Sequence, residues 1–431
     1  MKTVIMAGGK GTRISSVASD IPKPMIKISG MPVLEHEIMC LRDQGYTDLI
    51  ITVSHLGHII IDYFGDGSKV SPVTGKPFGV HIEYYIEEQP LGNAGALFKI
   101  KDKLTEDFLL LNADSVFDID FNRFVEYHKQ KGGLVTLFTH PNSHPYDSGL
   151  IISNENCAVE QWLAKEDERP KYYRNRVNAG LHIISPEILK NEINTPKIDL
   201  DRQILKPLAG TGKMFVYDSP EYVKDMGTPD RYETVCRDFM NGTVQAKNLK
   251  QKQKAIFLDR DGTINKYVGF LRNINDFDLI DGVPDAIKMI NNSGFLAIVV
   301  TNQPVIARGE VTFNELQEIH NKMETLLGFH GAYLDAIYFC PHHPHKGYDG
   351  EIEELKIECK CRKPKPGMLL QAAKDYNIDL SLSWMIGDSE NDIAAGIAAG
   401  CKTGLLGNEQ HGQDISDTSL VTILESVLKN E

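Results

Sequence analysis

Short apolar runs bounded by glycine and proline recur along the chain and alternate with helical patterns, the rhythm of α/β folds built on largely parallel sheets. One series occupies residues 3–6, 49–53, 82–86, 108–111, 134–138 and 181–184, and it fades near Asp238. A second starts afresh at residues 255–258 and runs through 296–300, 336–339, 384–386 and 403–406. Between them residues 241–254 are polar and basic with almost nothing to bury, the composition of a linker or a solvated helix end. The two series share no repeat. The pattern therefore predicts two different α/β domains, residues 1–240 and 254–431, joined by a linker over 241–253.

Length agrees, because 431 residues exceed one ordinary core. With 42% hydrophobic and 24% charged residues, disorder is a poor reading. The longest apolar run, residues 295–300, is far too short to span a bilayer. Lys and Arg number 46 against 59 Asp and Glu, a net charge of −13 that opposes nucleic-acid binding. Anionic small molecules remain substrates if loops and metal ions supply local positive charge. The apolar stretch before Gly8 is too short for a signal peptide, so a cytoplasmic protein is expected. Seven cysteines, an odd number with Cys340, Cys359 and Cys361 crowded beside histidines, suggest reduced thiols and one metal site rather than a disulfide framework.

Ala7-Gly-Gly-Lys-Gly-Thr-Arg13 follows the first strand directly, and glycines there let backbone N–H groups close on a phosphate. Alone it reads equally as a tight strand-to-helix turn. Pro22-Lys-Pro-Met25 follows, where two prolines fix the backbone around one lysine. With these two motifs the sequence resembles the sugar-phosphate nucleotidyltransferases. The resemblance continues in order through residues 88–97, Leu111-Asn-Ala-Asp114, Val177-Asn-Ala-Gly180 and Asp225-Met-Gly-Thr-Pro229. It implies a Rossmann-like domain with a GT-A-like mixed sheet. In such enzymes a sugar 1-phosphate oxygen attacks the α-phosphorus of a nucleoside triphosphate and releases pyrophosphate, so catalysis is alignment and charge neutralisation. The resemblance assigns Arg13 and Lys23 to the triphosphate, Gly8, Gly9 and Gly11 to backbone contact with the nucleotide, and Gln89 with Gly92 to the base. Asn178 and Gly180 meet the sugar, and Lys165 meets the sugar phosphate, although Ala164 stands where the family carries a glutamate. Asp114 and Asp225 would hold Mg²⁺, a hard ion suited to oxygen ligands.

In the second half Asp259-Arg-Asp-Gly-Thr263 caps an apolar strand and puts two carboxylates two residues apart, where one can attack and the other handle protons. Carboxylates so close repel unless a cation intervenes, and Asp388 after Trp384-Met-Ile-Gly387 adds another oxygen ligand. With Thr301, Lys363 and Gly387-Asp-x-x-x-Asp392, the half resembles the haloacid dehalogenase-like (HAD) phosphohydrolases, which implies a Rossmannoid phosphatase. By that resemblance Asp259 is the nucleophile and Asp261 the general acid and base. Thr301 and Lys363 hold phosphoryl oxygens, and Mg²⁺ sits on Asp259, the Asp261 carbonyl and Asp388. Asp392 supports the metal loop.

Cys340-Pro-His342 and Cys359-Lys-Cys361 supply three thiolates and one imidazole, the donor set of a Cys₃His zinc site. Four donors close a structural site, so His343 and His345 are expected at the surface. The spacing resembles the zinc-loop subgroup, which includes heptose 1,7-bisphosphate and histidinol-phosphate phosphatases. Thr301-Asn302-Gln303 agrees with the heptose enzymes, with Asn302 and Arg362 as substrate contacts, while Pro304 and Val305 replace the small residues usual there.

A phosphatase joined to a nucleotidyltransferase makes chemical sense if one prepares the other's substrate. The first half resembles heptose 1-phosphate guanylyltransferases. That implies removal of the 7-phosphate of a heptose 1,7-bisphosphate, then transfer of GMP from GTP to heptose 1-phosphate, for surface polysaccharide. Competing readings keep both chemistries with another sugar or UTP, or join a histidinol-phosphate-type phosphatase to a nucleotide-binding regulatory domain. The expected partners are sugar phosphates and a nucleoside triphosphate, with neither nucleic acid nor membrane; a homo-oligomer stays open.

Overall fold

The computed structural model describes residues 1–9, 20–190 and 195–429. The chain divides into two compact units: residues 1–140, 151–162 and 178–248 form one, and residues 141–150, 163–177 and 249–431 form the other.

The first unit is built on a mixed nine-stranded sheet. Within it Phe108–Asn112, Thr3–Met6, Asp48–Val53 and His81–Ile86 run parallel in that spatial order, the last of them at the sheet's edge. Val177–Ile184 pairs antiparallel with Phe108–Asn112. Val4, Ile5, Leu49, Ile51, Leu110 and Leu111 are each at most 1% exposed, as near-continuous apolar strands covered on both faces should be. All four parallel strands end at one edge, where residues 7–9, Asp114 and the segment 87–94 follow them, the edge at which open α/β sheets place ligands. A separate antiparallel pair joins Ser115–Asp118 to Tyr222–Asp225.

The segment 241–254, expected to bury almost nothing, contains the helix Thr243–Ala246 with Val244 1% exposed, and Leu249 is 3% exposed. Two apolar residues five apart make no periodic signal, so the sequence pattern hid this packing.

The second unit has six parallel strands in the order Ala336–Cys340, Phe295–Asn302, Lys254–Leu258, Trp384–Gly387, Lys402–Leu406, Ile415–Asp417. The first strand in sequence lies in the interior, and successive crossovers go first to one side of it and then to the other. This makes a topological switch point at the carboxyl ends of Lys254–Leu258 and Trp384–Gly387, which deliver Asp259 and Asp388. Ala255 to Leu258 are fully buried, so this strand is a rigid base for the loop it carries. The segments 141–150 and 163–177 pack in the same unit. Arg176 and Glu324 form a buried ion pair at 3.0 Å, and the Tyr173 N–H donates to Thr325 Oγ1 at 2.9 Å.

Candidate functional site

In the first unit the chain leaves Met6 through Ala7, whose N–H still bonds to Thr52 O at 2.9 Å. Ser54 Oγ then donates to Gly8 O at 2.6 Å. A Cβ on Gly8 would meet the Glu87 carboxylate, Oε1 at 2.8 Å, so the Glu87 side chain lies against this glycine. Gly11 and Arg13 lie outside the described residues. Gln89 is exposed, and Gly92 sits at φ +83° where a Cβ would meet the Ile198 backbone oxygen at 2.3 Å. Bonds from Ile198 N to Leu91 O and from Ala94 N to Ile198 O pin this loop on both sides of the glycine.

Lys23 Nζ contacts Asp114 Oδ2 at 2.6 Å. The antiparallel pairing sets Asp225 opposite Ser115, and Met226 N donates to Asp114 O at 3.2 Å, so two chain segments distant in sequence bring the backbones of these two residues together. Arg231 Nη1 holds both oxygens of Asp225 at 3.0 and 2.8 Å. Burial works to raise the Asp225 pKa, but Arg231, the Gly227 N–H and Lys23 bring it below the ordinary carboxylate range. The sequence offered no signal for Arg231. An all-oxygen donor pair fits a hard divalent cation, with Lys23 and Arg231 balancing the charge.

Asn178 Oδ1 accepts from Gly180 N at 3.2 Å and is 3.1 Å from His182 Nε2. A Cβ on Gly180 would meet Asn112 Nδ2 at 2.5 Å, which ties Asn178 and Gly180 to the strand that leads to Asp114. Lys165 is exposed on the segment 163–177, which belongs to the second unit.

In the second unit Asp259 stays in the sheet through its N–H to Ile386 O at 3.0 Å. Lys363 Nζ lies 2.7 Å from Asp259 Oδ1 and 2.5 Å from Asp392 Oδ1. Asp392 is held by a capping box, with Ser389 Oγ and N donating to Oδ2 at 2.6 and 3.1 Å. Asn302 clamps Lys363 from its backbone: Nδ2 donates to Lys363 O and Lys363 N donates to Oδ1, both at 3.0 Å. Asp388 Oδ2 would lie 1.9 Å from a Cβ on Gly262, where φ is +84°, so only glycine lets the two loops meet.

Ligand oxygens of Asp259, Asp388 and Asp392 all lie within 4.8 Å of one another. Burial and the Asp392 charge push Asp259 up to about 7 against the pull of Lys363. Burial and Asp392 push Asp388 up to about 6. Three carboxylates share the single ammonium of Lys363, and their oxygen donors fit a divalent cation that would balance the remaining charge.

Asp261 is outside that cluster. Its carboxylate accepts from Arg260 Nη2 at 2.9 and 2.7 Å, Gln303 Nε2 at 2.9 Å and Asn265 Nδ2 at 3.0 Å. Thr301 Oγ1 accepts from the same Gln303 nitrogen at 2.8 Å. Arg260, Asn265 and Gln303 received no role from the sequence, although two lie inside or beside quoted motifs; polar residue type alone does not reveal a buried partner.

Cys340, His342, Cys359 and Cys361 converge at the end of Ala336–Cys340. Their sulfur–sulfur distances are 3.2, 3.4 and 3.5 Å, and His342 Nδ1 lies 3.6 and 3.3 Å from Cys340 and Cys361. Disulfides need about 2 Å, whereas the edges of a zinc tetrahedron with bonds of about 2.3 Å are near these values. All seven cysteines are free. Arg362 N donates to Cys359 Sγ at 3.3 Å and its Nη1 to His342 O at 3.3 Å, so the metal loop runs straight into Lys363. His345 is exposed, but His343, also expected at the surface, is 6% exposed, because Arg308 Nη2 reaches its Nε2 at 3.3 Å and its Nδ1 lies 3.2 Å from His345 O.

The nucleotidyl transferase family model matches residues 2–241 and a HAD-hydrolase-like model matches residues 360–422. The D-glycero-beta-D-manno-heptose-1,7-bisphosphate 7-phosphatase of Yersinia pestis is 46% identical over 158 residues, covering 37% of this chain and 82% of the relative. The protein of the same name in Escherichia coli strain K12 is 45% identical over 152 residues, covering 35% and 78%. The solved structure of HddC from Yersinia pseudotuberculosis is 26% identical with a TM-score of 0.47, covering 55% of this chain and 99% of that one. Among the described residues no helix is long and apolar enough to cross a membrane.

Proposed function

Because the chain belongs to the nucleotidyl transferase family and to that of the heptose-1,7-bisphosphate 7-phosphatases, we propose that it performs two consecutive steps of heptose activation. The second unit removes the 7-phosphate of D-glycero-D-manno-heptose 1,7-bisphosphate. The first joins the remaining heptose 1-phosphate to a nucleotide, GTP being the donor that the motif resemblance implies, and releases pyrophosphate. The observation that carries this reading is the triad at the switch point: Lys363 ammonium between Asp259 and Asp392, with Asp388 alongside.

An oxygen of Asp259 bonds to phosphorus as the bond from phosphorus to the sugar C7 oxygen breaks, and Asp261 protonates the departing oxygen. Asp261, now a carboxylate, takes a proton from water as that water's oxygen attacks phosphorus, which releases inorganic phosphate and restores Asp259. Thr301 and Lys363 bind the phosphoryl oxygens, while Asn302 fixes the Lys363 backbone. Arg362 is a further phosphate contact. Asp259, Asp388 and the Asp261 carbonyl would hold Mg²⁺, which supplies Lewis-acid neutralisation of phosphoryl charge.

In the first unit an oxygen of the sugar phosphate bonds to the α-phosphorus of the triphosphate as the bond to the β-phosphate bridging oxygen breaks. Lys23 and Arg13 neutralise the charge that gathers there. Asp114 and Asp225 would hold the cation, Gly8, Gly9 and Gly11 admit the phosphates, and Gln89 with Gly92 meet the base. Asn178 and Gly180 orient the sugar. Cys340, His342, Cys359 and Cys361 would hold zinc in a structural role, since four protein donors complete a tetrahedral set. The setting is the cytoplasm and the product serves surface polysaccharide.

The test supplies heptose 1,7-bisphosphate with each of ATP, GTP, CTP and UTP and follows phosphate, pyrophosphate and nucleotide-sugar. GDP-heptose is expected. Phosphate release without any nucleotide-sugar would overturn the two-step reading, and UDP-heptose alone would overturn the base.

A further inference from the structure

Behind the phosphatase centre one buried amide joins two groups with different tasks. Gln303, 2% exposed, donates from Nε2 to Thr301 Oγ1 at 2.8 Å and to Asp261 Oδ2 at 2.9 Å, and its Oε1 accepts from Arg260 Nη2 at 3.1 Å. The amide is set one way round, because Arg260 only donates and the Asp261 carboxylate accepts. Both amide hydrogens are thereby committed.

Two consequences follow from donor and acceptor inventory. A hydroxyl that accepts from Gln303 keeps its own hydrogen for another acceptor, so the Thr301 O–H is free to donate to a phosphoryl oxygen. Asp261 is gripped from several sides, by the Arg260 fork, by Gln303 and by Asn265 Nδ2, which leaves its carboxyl plane one orientation. Arg260 is itself fully buried, and its Nη1 lies 3.4 Å from His320 Nε2 on the helix Phe313–Phe329. Burial and the Arg260 charge keep His320 neutral and able to accept.

We propose that Gln303 is a positioning residue of the phosphatase reaction, turning the Thr301 hydroxyl toward the transferring phosphoryl group and fixing Asp261 for proton transfer to the leaving oxygen, with Arg260 as its anchor. The inference rests on the phosphatase reading above and adds which residues set the geometry of its proton step. When the Asp259–phosphorus bond forms and the bond to the leaving oxygen breaks, that oxygen takes the Asp261 proton. A sugar or alkyl oxygen needs the proton, whereas p-nitrophenolate departs without it. Misplacing Asp261 therefore slows alkyl phosphates more than aryl phosphates, while disturbing Thr301 or the fold slows both alike.

The experiment compares full-length wild type with Gln303→Leu and the isosteric Gln303→Glu, which loses both amide hydrogens. Turnover of heptose 1,7-bisphosphate and of p-nitrophenyl phosphate is measured, with thermal unfolding as a control. The expected result is a kcat loss of about 10²-fold on the sugar phosphate and less than about a tenth of that loss on the aryl ester. Equal losses on both substrates would overturn the proposal, and so would unfolding of both variants, which would make Gln303 purely structural. If wild type spares the heptose bisphosphate but cleaves p-nitrophenyl phosphate and fructose 1,6-bisphosphate, the substrate reading fails, and the same split is then scored on fructose 1,6-bisphosphate.

Discussion

Lys363 and Asp392 meet at 2.5 Å with side chains only 2% and 0% exposed, although 28 residues lie between them in sequence. Breaking a buried pair on one side costs about 3–5 kcal/mol, because the remaining charge is left in a poorly solvated place. Asp259 still neutralises Lys363 when Asp392 is removed, which puts the cost near the lower end. Asp392→Ala also removes the capping-box acceptor of Ser389. Urea unfolding is expected to show a loss of about 3 kcal/mol in the phosphatase transition, together with reduced phosphate release and unchanged nucleotidyl transfer. Unaltered stability would mean that the pair contributes nothing net.

Separate chemistries imply reciprocal variants. Asp259→Asn should abolish phosphate release yet spare pyrophosphate release from ready-made heptose 1-phosphate. Lys23→Met should lower nucleotidyl transfer by about 10²–10³-fold, the usual loss for one charge-stabilising donor, and leave the phosphatase intact. Steady-state assays of each half-reaction decide this, and a variant that loses both activities would refute independent sites.

Asp259 and Asp388 have pKa values pushed up to about 7 and about 6. For carboxyls raised above their unfolded values, the stabilising contribution is complete below the unfolded pKa and is lost as pH rises through the folded pKa. Metal-free protein should therefore lose this contribution progressively as pH climbs from about 4 to about 7, and magnesium should restore stability there. Protons compete for the same oxygens, so apparent magnesium affinity should fall as pH drops below about 7, with protons released on binding. Calorimetric titrations in buffers of different ionisation enthalpy measure that release; none at pH 6 would contradict the raised values.

Cys340, His342, Cys359 and Cys361 should bind about one zinc per chain, measurable by elemental analysis after mild purification. Chelation or Cys361→Ser should lower the unfolding temperature of the second unit. Phosphatase activity should fall with it, because the loop that carries Cys361 continues into Arg362 and Lys363. Nucleotidyl transfer should be the less affected activity. Zinc-free protein with full phosphatase activity would refute the structural role.

The apolar runs at residues 3–6, 49–53, 82–86, 108–111 and 255–258 each lie within a strand of the structure, since strands buried on both faces need uninterrupted apolar side chains and leave that mark in one dimension. The strands Ser115–Asp118, Tyr222–Asp225 and Ile415–Asp417 were not legible, being only three or four residues long and broken by polar residues. Gly262 within its motif has a local reason as well, since its positive φ and the close approach of Asp388 admit only glycine. Sequence by itself thus determined two α/β units, their parallel cores and the residue types at each strand end. Tertiary structure alone decided that Arg231 holds Asp225, that Asn302 clamps the Lys363 backbone, that His343 is buried against Arg308, and that Gln303 spans Thr301 and Asp261. These are pairings between polar side chains whose partners arrive from other segments or by a local turn. A polar residue's type states what it can donate or accept, and only the folded chain states to whom.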